Sequence, residues 1–300
     1  MSRFSPVTAA TEGYRVMRRE PKAVLVWTVL WVAALSLVSF IKLATGGVTS
    51  AVATQRNSWE IIKSFGPLAV LLVPTLLALW VVTTAAGFRA VLRPDEKSWF
   101  FIRLGMDELR LAIMTTVAFV LVLVLGGVPA SVLLFLLNPL LAAMPAMARY
   151  IAIVGAILSV CLEIWIAVRL SLIAVETFAE RRFHLTAYWP LARGRFWRLF
   201  GAYLIVAAEV GALLVASLVL VFVFTFVTTL VGLPQGQDLL RRGALLGLAG
   251  AAAVFAALLF VIPSTLICAC QAYAFRALAD DSPTVYGRSW KLDPKVHPEG

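Results

Sequence analysis

The sequence predicts an all-α fold: a polytopic membrane protein whose six transmembrane helices form three repeats, each an amphipathic helix followed by a transmembrane hairpin. Three observations predict it. Apolar residues make up 61% of the 300-residue chain and charged ones 14%, where a soluble domain carries about 25% charged residues. Six apolar runs, at 23–41, 68–88, 111–137, 151–175, 199–231 and 244–277, are each long enough to cross a hydrocarbon core about 30 Å thick at about 1.5 Å per residue. Third, the polar segments that lead into these runs resemble one another at a regular spacing.

The runs leave only short polar segments between them, too short for a separate soluble domain of about 100 residues. Residues 1–281 therefore read as one six-helix transmembrane domain, and 282–300, polar and without an apolar period, as a flexible cytoplasmic tail. The first run lacks the charged leader and the A-x-A site of a secretory signal, which predicts an uncleaved helix. Orientation follows from the basic residues of the flanks, which divide 20 to 6 between the two sides. The richer side holds both termini and is expected to be cytoplasmic.

The repeat is seen by writing the chain against itself. "TEGYRVMRREPKAVL" from Thr11 matches "TAYWPLARGRFWRLF" from Thr186 at a shift of 175, with Tyr14 on Trp189 and Arg18 on Arg193. "FFIRLGMDELRLA" from Phe100 lies near half that shift. "GFRAVL" at Arg89, "AVRLSL" at Arg169 and "AFRALA" at Arg276 close the second helix of each pair. A fixed period marks a repeated structural unit, here 7–93, 97–176 and 183–278, and three such units make pseudo-threefold packing an expectation.

Each lead-in segment has helical spacing. Val7, Ala10, Tyr14 and Met17 form one stripe with Arg15, Arg18 and Arg19 opposed; Trp99, Ile102, Met106 and Leu109 form the second with Arg103 and Arg110 opposed. In the third, Leu185, Tyr188, Trp189, Ala192 and Phe196 oppose Arg182, Arg193 and Arg195. Helices with arginine on one face and aromatics on the other lie in the headgroup boundary. Arg18, Arg103, Trp189, Arg193, Arg195, Trp197 and Arg198 are thus the candidate headgroup and interface residues, with His184 an interfacial side chain. The net charge of +10 belongs to these flanks, where each basic residue gains about 1 kcal/mol from anionic headgroups. Anionic lipids, not nucleic acid, are the expected partner, with a membrane protein or a second copy of the chain as further partners.

Ionisable groups inside spans are costly, by about 2.5–3.5 kcal/mol at a helix centre. Glu163 lies six residues before Arg169 and Glu209 about 15 Å along its span. With Thr84 and Gln271 they form the candidate polar cluster, read either as a site for a lipid headgroup, a cation or a proton, or as hydrogen bonds that fix helix packing. Pro74 and Pro263 interrupt the second and sixth spans, with Thr75, Ser264 and Thr265 beside them to compensate freed carbonyls. Cys161, Cys268 and Cys270 read as small buried hydrophobes. No phosphate loop, H-E-x-x-H, G-x-S-x-G or histidine cluster is present. No catalytic residue, metal or cofactor is therefore expected.

The segment "ETFAERRFHLTAYWPLARGRFWRLFGAYL", an acidic residue followed by W-x-L-x-x-G-x-F-W-x-L, and "FRAVLRPDEKSWFFIRLGMDELRL" resemble the glycerophosphoryl diester phosphodiesterase membrane-domain family and related six-span bacterial proteins. The catalytic barrel that performs hydrolysis in that family has no counterpart in this chain. The resemblance implies a bacterial inner (cytoplasmic) membrane protein. The expectation is a non-enzymatic protein that binds lipid or a membrane partner and organises the cytoplasmic leaflet. The alternative is a transporter or channel for a small ion or a lipid-like substrate that uses the polar cluster.

Overall fold

The computed structural model describes residues 4–44, 58–95, 99–103, 105–129, 131, 132, 135, 145–181, 183, 192, 194–231 and 238–280. Among them there is helix and no strand. The helices are α1 (Pro6–Arg19), α2 (Pro21–Ala44), α3 (Ser58–Leu92), α4 (Met106–Val122), α5 (Pro145–Leu170), α6 (Ile173–Glu180), α7 (Phe196–Val231) and α8 (Asp238–Asp280). A single 3₁₀ turn, Trp99–Phe101, precedes α4, and a π-turn, Leu123–Gly127, continues it. Among the described residues five stretches are long and apolar enough to cross a membrane, and up to six if α1 and the first part of α2 count as one broken span. The chain is a membrane-spanning helical protein.

The break between α1 and α2 is written in the sequence. Pro21 takes the first position of α2, where its missing N–H costs nothing, and it disfavours helical geometry at Glu20 before it. The chain bends there by 91°. Glu20 serves both helices: its N–H donates to the Val16 carbonyl at 2.9 Å, and its own carbonyl accepts from Ala23 at 3.1 Å.

The prolines inside spans act differently from expectation. α3 runs through Pro74 and α8 through Pro263 without interruption. The Ser264 and Thr265 hydroxyls both donate to the Val261 carbonyl, at 3.0 and 2.7 Å. They thus follow the ordinary backward bond of helical Ser and Thr and leave the carbonyl one turn before the proline alone.

The described chain divides into two compact units, residues 11–103 with 205–268, and residues 1–10 with 104–204 and 269–300. Their boundaries fall inside α1, α7 and α8 and between the 3₁₀ turn and α4. In the first unit α2, α3 and the 3₁₀ turn pack together. Trp31 stacks on Phe260 with ring centroids 4.6 Å apart. α1 lies tightly against α8 at Gly13, where a Cβ would sit 2.7 Å from the Leu266 Cδ2 and 2.8 Å from its Cα. Gly87 likewise faces the Cys268 Cβ, at 3.2 Å from the position a Cβ would take. Small residues at these points let backbones approach closely, the usual route to packing in a medium without a hydrophobic drive.

In the second unit α4 packs along α6. Glu108, Leu111 and Met114 face inward from α4, and Ile173, Val175, Glu176, Thr177 and Phe178 from α6. The π-turn rests on α5, where a Cβ on Gly126 would lie 2.5 Å from the Glu163 Cγ. The Tyr203 hydroxyl donates to the Ser171 Oγ at 2.7 Å, tying α7 to the bend between α5 and α6. The outward sides of α4, α5 and the start of α7 remain apolar and exposed, with Phe119, Ile157 and Leu204 among them, as a lipid-facing surface requires. Cys161 belongs to this outward face, whereas Cys268 and Cys270 are buried. Burial of all three cysteines therefore holds for two of them, because α5 turns Cys161 away from its neighbours.

Gly13→Ala places a methyl against backbone atoms of α8 that cannot move alone. It is expected to cost about 1–3 kcal/mol of stability in detergent, as overpacking does. Gly126→Ala meets only the flexible stem of Glu163, so the double variant Gly126→Ala with Glu163→Ala should recover most of the loss, and thermal unfolding of the purified protein measures both.

Candidate functional site

α1 is the amphipathic helix the sequence predicts, with its buried face rotated from the expected stripe. Ala9, Ala10, Gly13 and Val16 turn inward, while Val7 and Tyr14 stay exposed beside Arg15, Arg18 and Arg19. Gly13 contributes to this, because it admits the close contact with Leu266 of α8 that a larger side chain would block. Arg15 pairs with Glu12 one turn back at 3.1 Å. Arg19 reaches the Ala90 carbonyl near the end of α3, so it closes a helix terminus as well as facing the surface.

The second expected amphipathic helix is not one helix. Trp99, Phe100 and Phe101 have φ of 21°, 59° and 64°, a left-handed path that costs non-glycine residues roughly 1–2 kcal/mol each. Gly105 is extended and α4 starts only at Met106. The stripe Trp99, Ile102, Met106 and Leu109 is therefore split between a turn and a helix, although Trp99, Met106 and Leu109 are all exposed. Two side chains secure the turn: the Trp27 indole N–H donates to the Phe100 carbonyl at 3.1 Å, and the Arg89 Nη1 to the Phe101 carbonyl at 2.9 Å. Arg89 is itself 2% exposed. Conformations of this kind persist where the surroundings over-determine them, and they cluster at binding sites. Between this turn and the α1–α2 bend lies an open cavity of about 340 Å³ lined by Glu20, Lys22, Ala23, Trp99, Phe100 and Phe101.

Of the third lead-in segment, His184, Leu185, Tyr188, Trp189, Pro190 and Arg193 lie outside the described residues. Gly194 has φ of 77°, and α7 starts two residues later at Phe196. The helix expected to reach Phe196 is thus interrupted at a left-handed position that glycine adopts readily. Trp197 and Arg198 are exposed, and Phe196, Trp197 and Phe200 form an aromatic cluster with centroids 5.3–6.0 Å apart. Such rings suit the interfacial belt. Arg195 instead donates to the Leu278 carbonyl at 3.3 Å, in the last turn of α8. Arg18 and Arg103 are exposed.

The candidate polar residues have separate neighbours. Glu163 lies over Gly126. Thr84 is buried next to the Cys268 thiol. Glu209 engages the Tyr14 hydroxyl, and its Oε2 is buried without a hydrogen-bond partner. Gln271 is half-buried in α8. Within each unit neither Glu163 and Gln271 nor Thr84 and Glu209 are hydrogen-bonded to each other.

Sequence reasoning missed three charged side chains that the structure buries: Arg89, Glu108 and Glu176, the last with no exposure at all. Each lies at the end of an apolar run, where a charge reads as solvated. Glu108 and Glu176 carry no signal; for Arg89 it is the arginine repeated in "GFRAVL", "AVRLSL" and "AFRALA". Its second copy, Arg169, stacks over Trp165 at 4.3 Å from the ring centroid. Asp107 joins α4 to the end of α6 by binding Arg110 at 3.1 Å and Arg181 at 3.4 Å.

No family model, curated protein or solved structure matches the chain.

Partial burial, and then the charge of Glu209 and a hydrogen bond to it, push the Tyr14 phenol above its ordinary value. The folded state therefore holds this proton at a pH where the unfolded chain has released it, and stability should fall as pH rises past about 10. Ultraviolet titration of the purified protein against Tyr14→Phe should assign a high-pH transition to Tyr14, and Glu209→Gln should move it back down. A Tyr14 transition at the ordinary phenol value in the unaltered protein would refute the contact.

Proposed function

We propose that this is a non-enzymatic protein of the bacterial cytoplasmic membrane, with both termini cytoplasmic, that binds lipid and organises the cytoplasmic leaflet around its basic lead-in segments. The observation that carries the reading is the 91° bend at Glu20 and Pro21. With α2 crossing the bilayer, α1 runs along its surface, and its exposed Arg15 and Arg18 lie at headgroup level beside the exposed Tyr14 and Val7. The exposed Trp99 and Trp197 supply matching aromatic anchors. The resemblance to the membrane-domain family without its catalytic barrel agrees with a role in lipid binding and not in hydrolysis. A transporter built on Thr84, Glu163 and Gln271 has less support, because Glu163 packs on Gly126 and Thr84 on Cys268.

At about 1 kcal/mol per basic residue near an anionic surface, Arg15→Gln with Arg18→Gln should reduce the enrichment of anionic lipid around the protein several-fold. Spin-labelled phosphatidylglycerol in reconstituted vesicles reads this directly. Enrichment that is unchanged by the two substitutions and by salt would count against the proposal.

Reporter fusions test the orientation separately. Fusions after Gly46 and Gly236 are expected outside, and those at Lys97 and Gly300 in the cytoplasm. An external carboxy terminus would reverse the assignment of the leaflet.

A further inference from the structure

The cavity at the α1–α2 bend has a composition that a purely anionic ligand would not need. Its back wall is fixed: Ala23 and Phe101 are each 2% exposed, and the Trp27 and Arg89 side chains hold the carbonyls of Phe100 and Phe101. Its rim is open, with Lys22 and Trp99 exposed and Phe100 partly so. One anion and one cation, Glu20 and Lys22, stand two residues apart in the lining. Lys22 lies in the first turn of α2, where the positive end of the helix dipole adds to its charge.

We infer that this cavity binds the headgroup of a zwitterionic phospholipid, a phosphodiester joined to a primary ammonium group. This rests on the lipid-binding reading above and names the lipid. Lys22 faces the phosphate. The ammonium group goes to the Glu20 carboxylate, whose two oxygens offer about four acceptor sites and so can serve a ligand as well as the protein. The faces of Trp99 and Phe100 attract the same cation. An anionic headgroup would gain from Lys22 but be opposed by Glu20, so the lining discriminates by charge pattern and not by net charge. The cavity volume of about 340 Å³ lies at the small end of the range for ligand pockets, about 300–1,000 Å³, which suits a headgroup whose acyl chains stay in the bilayer. The bend places the cavity at the level where such headgroups lie, and the exposed indole of Trp99 suits the boundary between headgroup and acyl chain.

The test uses the full chain in nanodiscs of equal phosphatidylethanolamine and phosphatidylglycerol, with native mass spectrometry of the lipids that remain bound after release from the disc. The unaltered protein should retain phosphatidylethanolamine about five- to tenfold over phosphatidylglycerol, the size of one ordinary net hydrogen bond. Glu20→Gln and Trp99→Ala should each bring that ratio towards one, whereas Arg15→Gln with Arg18→Gln, which weakens the hold on anionic lipid alone, should not lower it. Trp99 is 67% exposed, so its replacement keeps the fold should Glu20→Gln disturb the bend. Dihexanoyl phosphatidylethanolamine should compete about tenfold better than O-phosphoethanolamine. Equal competition would assign the site to a water-soluble compound and overturn the lipid assignment. Retained lipid with no preference, or a preference indifferent to both Glu20→Gln and Trp99→Ala, would overturn the inference while leaving lipid binding intact. No retained lipid at all would remove the broader reading with it.

Discussion

The rest of the first unit depends on the missing backbone proton of Pro21. A continuous helix from Pro6 to Ala44 would carry the arginines of α1 along the axis of α2, into hydrocarbon or far from it. With the chain turned through 91°, the same residues leave the axis of α2, and Glu20 is left at the corner with both of its backbone groups satisfied. The turn alone fixes an angle without fixing a position. Position comes from Gly13 against Leu266 and from Arg19 on the Ala90 carbonyl, which join α1 to α8 and to the end of α3.

A second constraint is electrostatic. Arginine is an expensive residue to bury, and Arg89 is buried almost completely. Its charge is spread over a planar fork with five donors, one of which supports the Phe101 carbonyl. This makes Arg89 a strut for a strained turn, and the turn in turn presents Trp99 and Phe100 to the surface. In the second unit, Glu108 and Glu176 occupy the seam between α4 and α6, where removing either would leave a buried polar neighbourhood poorly satisfied.

What was legible in the sequence was what depends on length and periodicity. Where the apolar runs are described they are helical, although α3 starts at Ser58, well before its expected run, and α5 closes at Leu170, short of it, and the spacing of arginines identified α1. The left-handed turn at Trp99 was not legible, because three consecutive aromatics carry no turn signal and their conformation is held by Trp27 and Arg89, which are distant in sequence. The burial of Glu108 and Glu176 was hidden for a related reason: hydropathy places a charge at the end of a span in water, and only the packing of α4 on α6 encloses it. The candidate polar cluster shows the same limit. Depth along a helix says nothing of rotation about its axis: within one unit Glu163 lies over Gly126, and within the other Thr84 lies beside Cys268 on the helix that Gly87 also faces.

The π-turn Leu123–Gly127 has an effect beyond its own five residues. A π-turn accommodates one more residue than an α-turn, and each residue in a helix accounts for about 100° of rotation. The side chains of Val128 and Pro129, which follow the turn, therefore point about 100° away from the direction that counting from Met106 would give. The helix has a phase change built into it, and a periodicity calculated across the whole of residues 106–129 averages two faces into none. Deleting one residue from the turn would leave composition and hydropathy almost untouched, yet it would rotate the helix that follows by about 100° relative to the one before. For this span, the relevant unit of sequence variation is therefore the register and not the residue type.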